Sequence, residues 1–127
     1  MNVNKPKVLL VGDNEYVRKF HGLMLQGLGC EVVEAVTPLE ALEKITAGFD
    51  LIMLDIEKPG LTNIDIVKIY RHHEAIQKQM PIILLNGNQN KLTQVQCEAS
   101  GGTAVFDKPL YADTMEKIIN QHCKESN

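Results

Sequence analysis

Five short apolar runs recur along the chain, and each is followed by polar residues and then by an amphipathic segment. Runs of this length are typical of strands that are covered on both faces, as in a parallel sheet. Strands that alternate with helices predict one parallel sheet with helices on both sides, and right-handed crossovers leave few topologies for it. The five predicted strands cover residues 7–11, 30–35, 51–54, 81–85 and 104–106.

The segments between the strands have apolar residues at helical spacing. Helices are predicted at about 15–28, at 38–48 with Thr37 as the cap, at 64–74, from about Leu92 to Gly101, and at the C-terminus. A chain of this size with this alternation favours the flavodoxin-like (βα)5 fold with strand order 2-1-3-4-5. The predicted buried faces are Val17, Phe20, Met24, Leu25 and Leu28 in the first helix, Leu92, Val95 and Ala99 in the fourth, and Met115, Ile118 and Ile119 in the last. His21 also lies on the first of these faces, where we expect a packed core residue rather than a ligand.

Length and composition exclude several classes of protein. The chain has 127 residues, of which 44% are hydrophobic and 23% are charged, so we expect one soluble domain, 1–127, with its core at about 7–122. Its net charge of -3 gives no basic field for direct binding of nucleic acid. No apolar run is long enough for a membrane contact of its own, and MNVNKPK lacks the apolar core of a signal peptide. Because the cysteines are few and far apart, we expect reduced thiols and a cytoplasmic setting.

Charged residues follow three of the predicted strands. Asp13 follows the first strand, Asp55 the third and Lys108 the fifth. The carboxyl ends of parallel strands meet at one edge of the sheet, which is where ligands bind in open α/β folds. Carboxylate oxygens suit Mg²⁺, and a lysine nearby supplies a charge for a phosphate. The alternative is a surface ion-pair cluster, which is common and contributes little.

Three motifs together resemble the response-regulator receiver domains of two-component signalling. The first strand and its exit read VLLVGDN, the central segment reads LIMLDIEKPG, and the last strand ends in FDKP. The likeness covers nearly the whole chain, from Lys7 to about His122. In the short segments LGCEV, CEASGG and DKPL, the sequence is most similar to the receivers of hybrid sensor kinases.

The resemblance implies a function for the charged edge. Asp55 would be the phospho-acceptor, Lys108 would contact the phosphate, and Asn86 would stand where the family has an assisting Ser or Thr. The carboxylates of Asp13 and Asp55 and the backbone carbonyl of Glu57 would bind Mg²⁺.

The resemblance also implies partners and one backbone feature. The phosphoryl donor would be a histidine kinase or a histidine phosphotransfer domain, and a weak homodimer stays open. Such a domain catalyses its own phosphorylation and dephosphorylation but is not a free-standing metabolic enzyme. The Lys108–Pro109 peptide bond is often cis in this family, so we expect the same here.

Four positions depart from the family pattern. Gly12 stands where the first acid of a pair usually lies, Asn86 replaces a hydroxyl, and Val105 replaces the aromatic residue that takes part in switching. These three changes affect metal binding and signal read-out. Asn63 replaces a glycine, which is a mild change because Asn tolerates the same backbone conformations.

Two alternatives to a phospho-accepting receiver follow from these residues. The first is a degenerate receiver that binds partners without being phosphorylated, which Gly12, Asn86 and Val105 favour. The second is a small phosphohydrolase or a flavin-binding domain. Phosphatases with an aspartyl nucleophile favour a second Asp two residues on, where this chain has Glu57. Retention of Asp13, Asp55 and Lys108 favours the phospho-accepting receiver over the degenerate one.

Overall fold

A computed structural model describes residues 5–56, 63–88 and 91–123 of the chain. Its strands are all parallel and form a single sheet in the order β2-β1-β3-β4-β5, as the sequence predicts. The strands are β1 (Lys7–Val11), β2 (Glu31–Ala35), β3 (Leu51–Asp55), β4 (Ile82–Asn86) and β5 (Ala104–Asp107). The helices are α1 (Glu15–Gly27), α2 (Pro38–Lys44), α3 (Asn63–His72), α4 (Gln94–Ser100) and α5 (Ala112–His122), with a 3₁₀ turn at Ile45–Ala47 after α2.

The central strand β3 is covered on both faces, and this determines the direction of each side chain in it. Ile52 and Leu54 pack in the core that α2, α3 and α4 close, whereas Leu51 and Met53 pack in the core that α1 and α5 close. All four are fully buried. Because successive side chains of a strand alternate between faces, Asp55 continues the Leu51–Met53 row toward α1 and α5.

Local sequence signals set several of the helix ends. The Thr37 hydroxyl accepts a hydrogen bond from the Glu40 N–H at 3.0 Å and so caps α2, as expected. The Glu40 carboxylate accepts from the Val36 N–H at 2.7 Å, one residue further back than in a standard capping box. Gly29 follows α1 with a φ of 90°, a backbone conformation that glycine adopts at little cost.

Two predicted helix faces are wrong in part. In α1, Phe20 is 42% exposed, whereas Leu25 and His21 of the same predicted face are buried. In α4, Val95 is 76% exposed, and Cys97 and Ser100 are the buried residues instead. A helix of seven residues has too few apolar positions for periodicity alone to select its inner face. The predicted core residues of α5 are confirmed, since Met115, Ile118 and Ile119 are all buried.

The helices of the described ranges are short. None of them is long and apolar enough to cross a lipid bilayer.

Candidate functional site

An almost buried ion pair lies at the carboxyl edge of the sheet. The Lys108 ammonium, which follows β5, donates to Oδ2 of Asp55, the last residue of β3, at 2.6 Å. The two side chains are only 7% and 9% exposed. The sequence predicted that these residues would meet at this edge, and the structure confirms it. Because the pair is largely shielded from water, solvent weakens the attraction between the ammonium and the carboxylate less than it would at the surface.

A cleft opens beside the Asp55 carboxylate. It has a volume of about 160 Å³ and is lined by the exits of β1 and β3 and by the start of α2: Val11, Gly12, Asp13, Val36, Thr37, Pro38 and Asp55. Asp13 is exposed, whereas Gly12 is buried. The structure therefore places both predicted carboxylates on one cleft.

Position 12 faces the Asp55 side chain. A Cβ atom built on Gly12 would lie 3.3 Å from the Asp55 Cβ and 3.4 Å from its Oδ2. The register explains this closeness, because Val11 pairs with Leu54 and the next residues of both strands lie side by side. A side chain at position 12 would therefore project toward the Asp55 side chain and would crowd it, so that Asp55 would have to shift by a few tenths of an ångström.

The donor set at this edge fits Mg²⁺. Mg²⁺ in phosphoryl-transfer sites is held by one or two carboxylates and keeps several waters, and Asp13 and Asp55 supply two carboxylates on one open cleft. Glu57, whose carbonyl was the third predicted ligand, lies outside the described residues. Within the described part of the chain, no three His, Cys, Asp or Glu residues cluster as metal ligands, so any metal here would depend on backbone and water for its other ligands.

An arginine holds the backbone of Gly12. Arg18 in α1 donates from Nη1 to the Gly12 carbonyl at 2.7 Å and from Nε to Glu34 Oε1 at 2.6 Å. The Arg18 side chain is 10% exposed, and Glu34 also pairs with Lys19 at 3.1 Å. These contacts link α1 and β2 to the exit of β1. They leave no periodic signal in the sequence, and sequence reasoning missed them.

The Lys108 backbone has anchors on both sides. Its own N–H donates to the Asn86 carbonyl at 2.9 Å, and the Leu110 N–H donates to Nε2 of His21 at 2.9 Å. The Lys108–Pro109 peptide bond between them is cis, as the family resemblance implies. His21 is 1% exposed, which confirms that it is packed in the core.

The electrostatic surroundings of His21 include the ion pair. Burial lowers the pKa of His21 below its ordinary value, the Asp55 charge opposes this, and the Lys108 charge adds to it. Because Nε2 accepts a hydrogen bond, the neutral ring carries its proton on Nδ1.

The side-chain amide of Asn86 binds the segment that leads into α4. Its Nδ2 donates to the Leu92 carbonyl, and its Oδ1 accepts from the Leu92 N–H, both at 3.0 Å. Nδ2 also lies 3.5 Å from Oδ1 of Asp107, whose Oδ2 pairs with Lys91 at 3.1 Å. The structure thus places Asn86 at the predicted strand exit with its amide on this segment, and its role in catalysis stays a prediction.

A second amide joins α4 to the outer edge of β5. Gln94 Oε1 accepts from the Val105 N–H at 3.1 Å, and Gln94 Nε2 donates to the Thr103 carbonyl at 3.0 Å. The Gln94 side chain thus forms hydrogen bonds with backbone groups that have no neighbouring strand to pair with, because β5 lies at the edge of the sheet. Val105 itself is half-buried and packs against the core on the α4 side.

These arrangements can be compared with known proteins. The model of the family described as "Response regulator receiver domain" matches residues 8–120. The chain belongs to the receiver family. This membership agrees with the edge-site geometry and separates the chain from the phosphohydrolases and flavin-binding domains that share its topology.

Relatives and solved structures support the same assignment. The chain is 30% identical over 110 residues to the CAI-1 autoinducer sensor kinase/phosphatase CqsS of Vibrio cholerae, which covers 86% of this chain but only 16% of that kinase. It is 30% identical to the chemotaxis response regulator CheY4 of Vibrio cholerae, with a TM-score of 0.79 over 93% of this chain and 98% of that one. The receiver of the sensor histidine kinase PA1611 from Pseudomonas aeruginosa has the same fold, with a TM-score of 0.80, 23% identity and coverage of 96% and 100%. That structure is described as having a magnesium ion coordinated in its active-site cleft.

Proposed function

We propose that this receiver accepts a phosphoryl group on Asp55 from a phosphohistidine of a histidine kinase or a histidine phosphotransfer domain. The observation that carries the proposal is the Lys108 ammonium at 2.6 Å from Asp55 Oδ2, beside a cleft of about 160 Å³ that Asp13 also lines. A carboxylate at a strand exit with a cation and an open face is suited to nucleophilic attack on phosphorus.

The transfer is a single displacement at phosphorus. An oxygen of the Asp55 carboxylate forms a bond to the phosphorus, the P–N bond of the phosphohistidine breaks, and its electron pair returns to the departing imidazole. Lys108 then donates to an oxygen of the transferred group, so its charge offsets the charge that develops there. Attack of water on the same phosphorus later releases inorganic phosphate and restores the carboxylate. The domain promotes both steps on itself and is not a free-standing metabolic enzyme.

Mg²⁺ belongs to the proposal as a cofactor. Asp13 and Asp55 would hold it, together with the Glu57 carbonyl that the family resemblance implies. When bound, it neutralises charge on the phosphoryl oxygens. Without an acid at position 12, this chain has fewer groups to orient the waters around the metal, so we expect weak binding.

An exposed apolar surface beside the site suits a protein donor. Tyr16, Phe20 and Leu23 of α1 are 87%, 42% and 69% exposed, and Tyr111 after Lys108 is 62% exposed. The rings of Phe20 and Tyr111 lie 6.3 Å apart, edge to face. Contiguous apolar surface of this kind marks protein contacts, and its place next to the acceptor favours the phosphoryl donor as the partner.

A cytoplasmic setting is part of the same proposal. Cys30, Cys97 and Cys123 are all free thiols, which is the usual state of cysteines in a reducing compartment.

A degenerate receiver is the second candidate. The observation that favours it is the pair of 3.0 Å bonds between the Asn86 amide and the Leu92 backbone, because they hold the segment that leads to α4. In this alternative the domain binds its partners through a constant surface, and Asp55 is never modified.

Mass spectrometry separates the two candidates. After incubation with acetyl phosphate and Mg²⁺, the wild-type protein should gain one phosphoryl mass, and Asp55→Asn should gain none. Asp50→Asn is the matched control, since Asp50 immediately precedes the same strand at its opposite end and binds the Lys7 N–H at 2.8 Å. It should be labelled like the wild type. An unlabelled wild type would support the degenerate receiver, and labelling of Asp55→Asn would overturn the assignment of the acceptor.

A further inference from the structure

We propose that His21 is a positioning residue for phosphoryl transfer: through the Leu110 N–H it holds the backbone that carries Lys108. The contact joins residues 89 positions apart in the sequence and is almost fully buried. The inference rests on the phosphoryl-transfer function proposed above, and it assigns a role on α1 that neither the motifs nor the family match provide.

Within the described part of the chain, two backbone N–H groups hold the segment around Lys108. The Lys108 N–H donates to the Asn86 carbonyl at 2.9 Å, which ties the residue to β4. Pro109 has no N–H to donate. The Leu110 N–H is therefore the next donor along the chain, and it binds His21 Nε2 at 2.9 Å. One hydrogen bond before Lys108 and one after it fix the segment from which the ammonium reaches Asp55.

The imidazole suits this task better than an apolar residue would. A leucine or methionine could fill the same space on α1, but it would leave the Leu110 N–H buried without an acceptor, which is unfavourable. The segment would then shift toward another acceptor or toward water. Leu110 is 3% exposed and packs with Met115 and Ile118 in the core that α1 and α5 close, so a shift of its amide moves the residues next to it.

The position of Lys108 matters more for the reaction than for folding. A displacement of about 1 Å in a catalytic group costs about 100-fold in rate. A purely structural histidine would affect the free energy of unfolding and every function of the site together. Beyond the stability lost with the hydrogen bond itself, a residue that acts by positioning Lys108 affects those properties that depend on the ammonium.

The variants are His21→Met, which removes the acceptor, and His21→Gln, whose amide oxygen can take the place of Nε2. Each is combined with Lys108→Ala. His21→Met should lower the rate of labelling by acetyl phosphate about tenfold or more, whereas His21→Gln should stay close to the wild type. In the Lys108→Ala background, His21→Met should change the rate by less than about twofold, since the residue through which it acts is gone. Equal losses with and without Lys108 would overturn the inference.

The affinity for Mg²⁺ distinguishes a misplaced Lys108 from a general loss of structure, because a general loss of structure would weaken metal binding as well. Lys108 is not among the proposed metal ligands, and its charge repels a cation held by Asp55, which it contacts at 2.6 Å. His21→Met should therefore leave Mg²⁺ binding at least as tight as in the wild type while the labelling rate falls. Parallel losses of Mg²⁺ affinity and rate would indicate disruption of the whole site and overturn the inference. If His21→Met does not fold, His21→Asn replaces it, because its shorter amide ends where Nδ1 lies and does not reach the Leu110 N–H.

An NMR measurement keeps the test independent of phosphorylation. The ¹³C resonance of the Asp55 carboxyl group reports its contact with Lys108 in the unmodified protein. It should move in His21→Met and return toward the wild-type position in His21→Gln. The same position in all three proteins would overturn the inference. If the wild type takes up no phosphate, the proposed function fails, and this resonance still decides whether His21 positions Lys108.

Discussion

Two lysine–aspartate pairs at the same edge of the sheet have opposite surroundings. Lys108 and Asp55 are 2.6 Å apart with side chains 7% and 9% exposed, whereas Lys91 and Asp107 are 3.1 Å apart with side chains 49% and 61% exposed. We call the first region the acceptor side (Asp13, Asp55 and Lys108) and the second the α4 side (Asn86, Lys91, Leu92, Gln94 and Asp107). The same chemical pair is thus shielded from water in one region and a solvated surface contact in the other.

The difference extends to what each region can do. On the acceptor side, Gly12, Asp13 and Asp55 line one cleft, and glycine at position 12 places no side chain against Asp55. On the α4 side, the amides of Asn86 and Gln94 each make two hydrogen bonds of 3.0–3.1 Å to backbone groups. A bound group shifts a conformational equilibrium only by its differential affinity for the two states. We therefore expect phosphoryl chemistry on the acceptor side without a large movement of α4.

The largest expected effect separates the two lysines. Lys108→Ala should lower the rate of labelling by acetyl phosphate by at least about 100-fold, because it removes a donor aimed at the developing charge. Lys91→Ala is the matched control and should leave the rate unchanged, since exposed ion pairs contribute only about 0–1 kcal/mol. Time courses of intact mass give both rates. Equal losses in the two variants would abolish the distinction between the two sides.

The next effect tests how firmly the α4 side is held. Asn86→Ala removes both bonds to Leu92 and leaves that backbone without these partners, so the free energy of unfolding should fall by about 1–3 kcal/mol. Asn88→Ala changes an exposed asparagine of the same loop and should stay within about 0.5 kcal/mol. Denaturant titration measures both variants. An unchanged stability of Asn86→Ala would show that its hydrogen bonds do not hold the segment.

A carboxylate introduced at position 12 tests whether this position of the acceptor side lies close to the bound metal. Gly12→Asp should tighten Mg²⁺ binding about tenfold, because a neighbouring carboxylate orients the waters of the metal. Gly12→Ala places the same Cβ at 3.3 Å from the Asp55 Cβ but adds no charge, and should not tighten binding. Titration with Mg²⁺ compares the two. Unchanged affinity in Gly12→Asp would mean that the added carboxylate does not reach the metal.

The smallest expected effect concerns the edge of β5. Gln94→Ala removes the acceptor of the Val105 N–H, so hydrogen exchange at this amide should become faster. The free energy of unfolding should fall by less than about 1 kcal/mol, because water can replace the lost bonds. Val95→Ala, at a neighbouring side chain that is 76% exposed, is the control. Exchange at Val105 that does not respond to Gln94→Ala would contradict the proposed link between α4 and β5.

Sequence patterns predicted the sheet better than the helix faces. Each strand bound agrees with the structure to within about a residue, because a buried strand such as Leu51–Asp55 needs an uninterrupted apolar run. The Asp55–Lys108 contact was predictable because both residues end strands of one parallel sheet. The inner face of α4 was not, since Cys97 rather than Val95 packs against the sheet.

Hydrogen bonds from side chains to distant backbone were beyond sequence reasoning. The contacts of His21 with Leu110 and of Gln94 with Val105 depend on the final packing of elements that are far apart in the chain. No periodicity or motif encodes such a pair. For the same reason the sequence predicted that Asp55 and Lys108 would meet but did not predict how α4 is held.

Amide NMR with Mg²⁺ and the phosphoryl analogue beryllofluoride tests most directly whether the acceptor side works while the α4 side stays in place. The predicted result is that shift changes are confined to the neighbourhood of Asp13, Asp55, Asn86 and Lys108. Large changes that run through Gln94–Ser100 and Val105, or dimerisation on addition of the analogue, would contradict the account. They would show that a full conformational switch operates without its usual hydroxyl and aromatic residues.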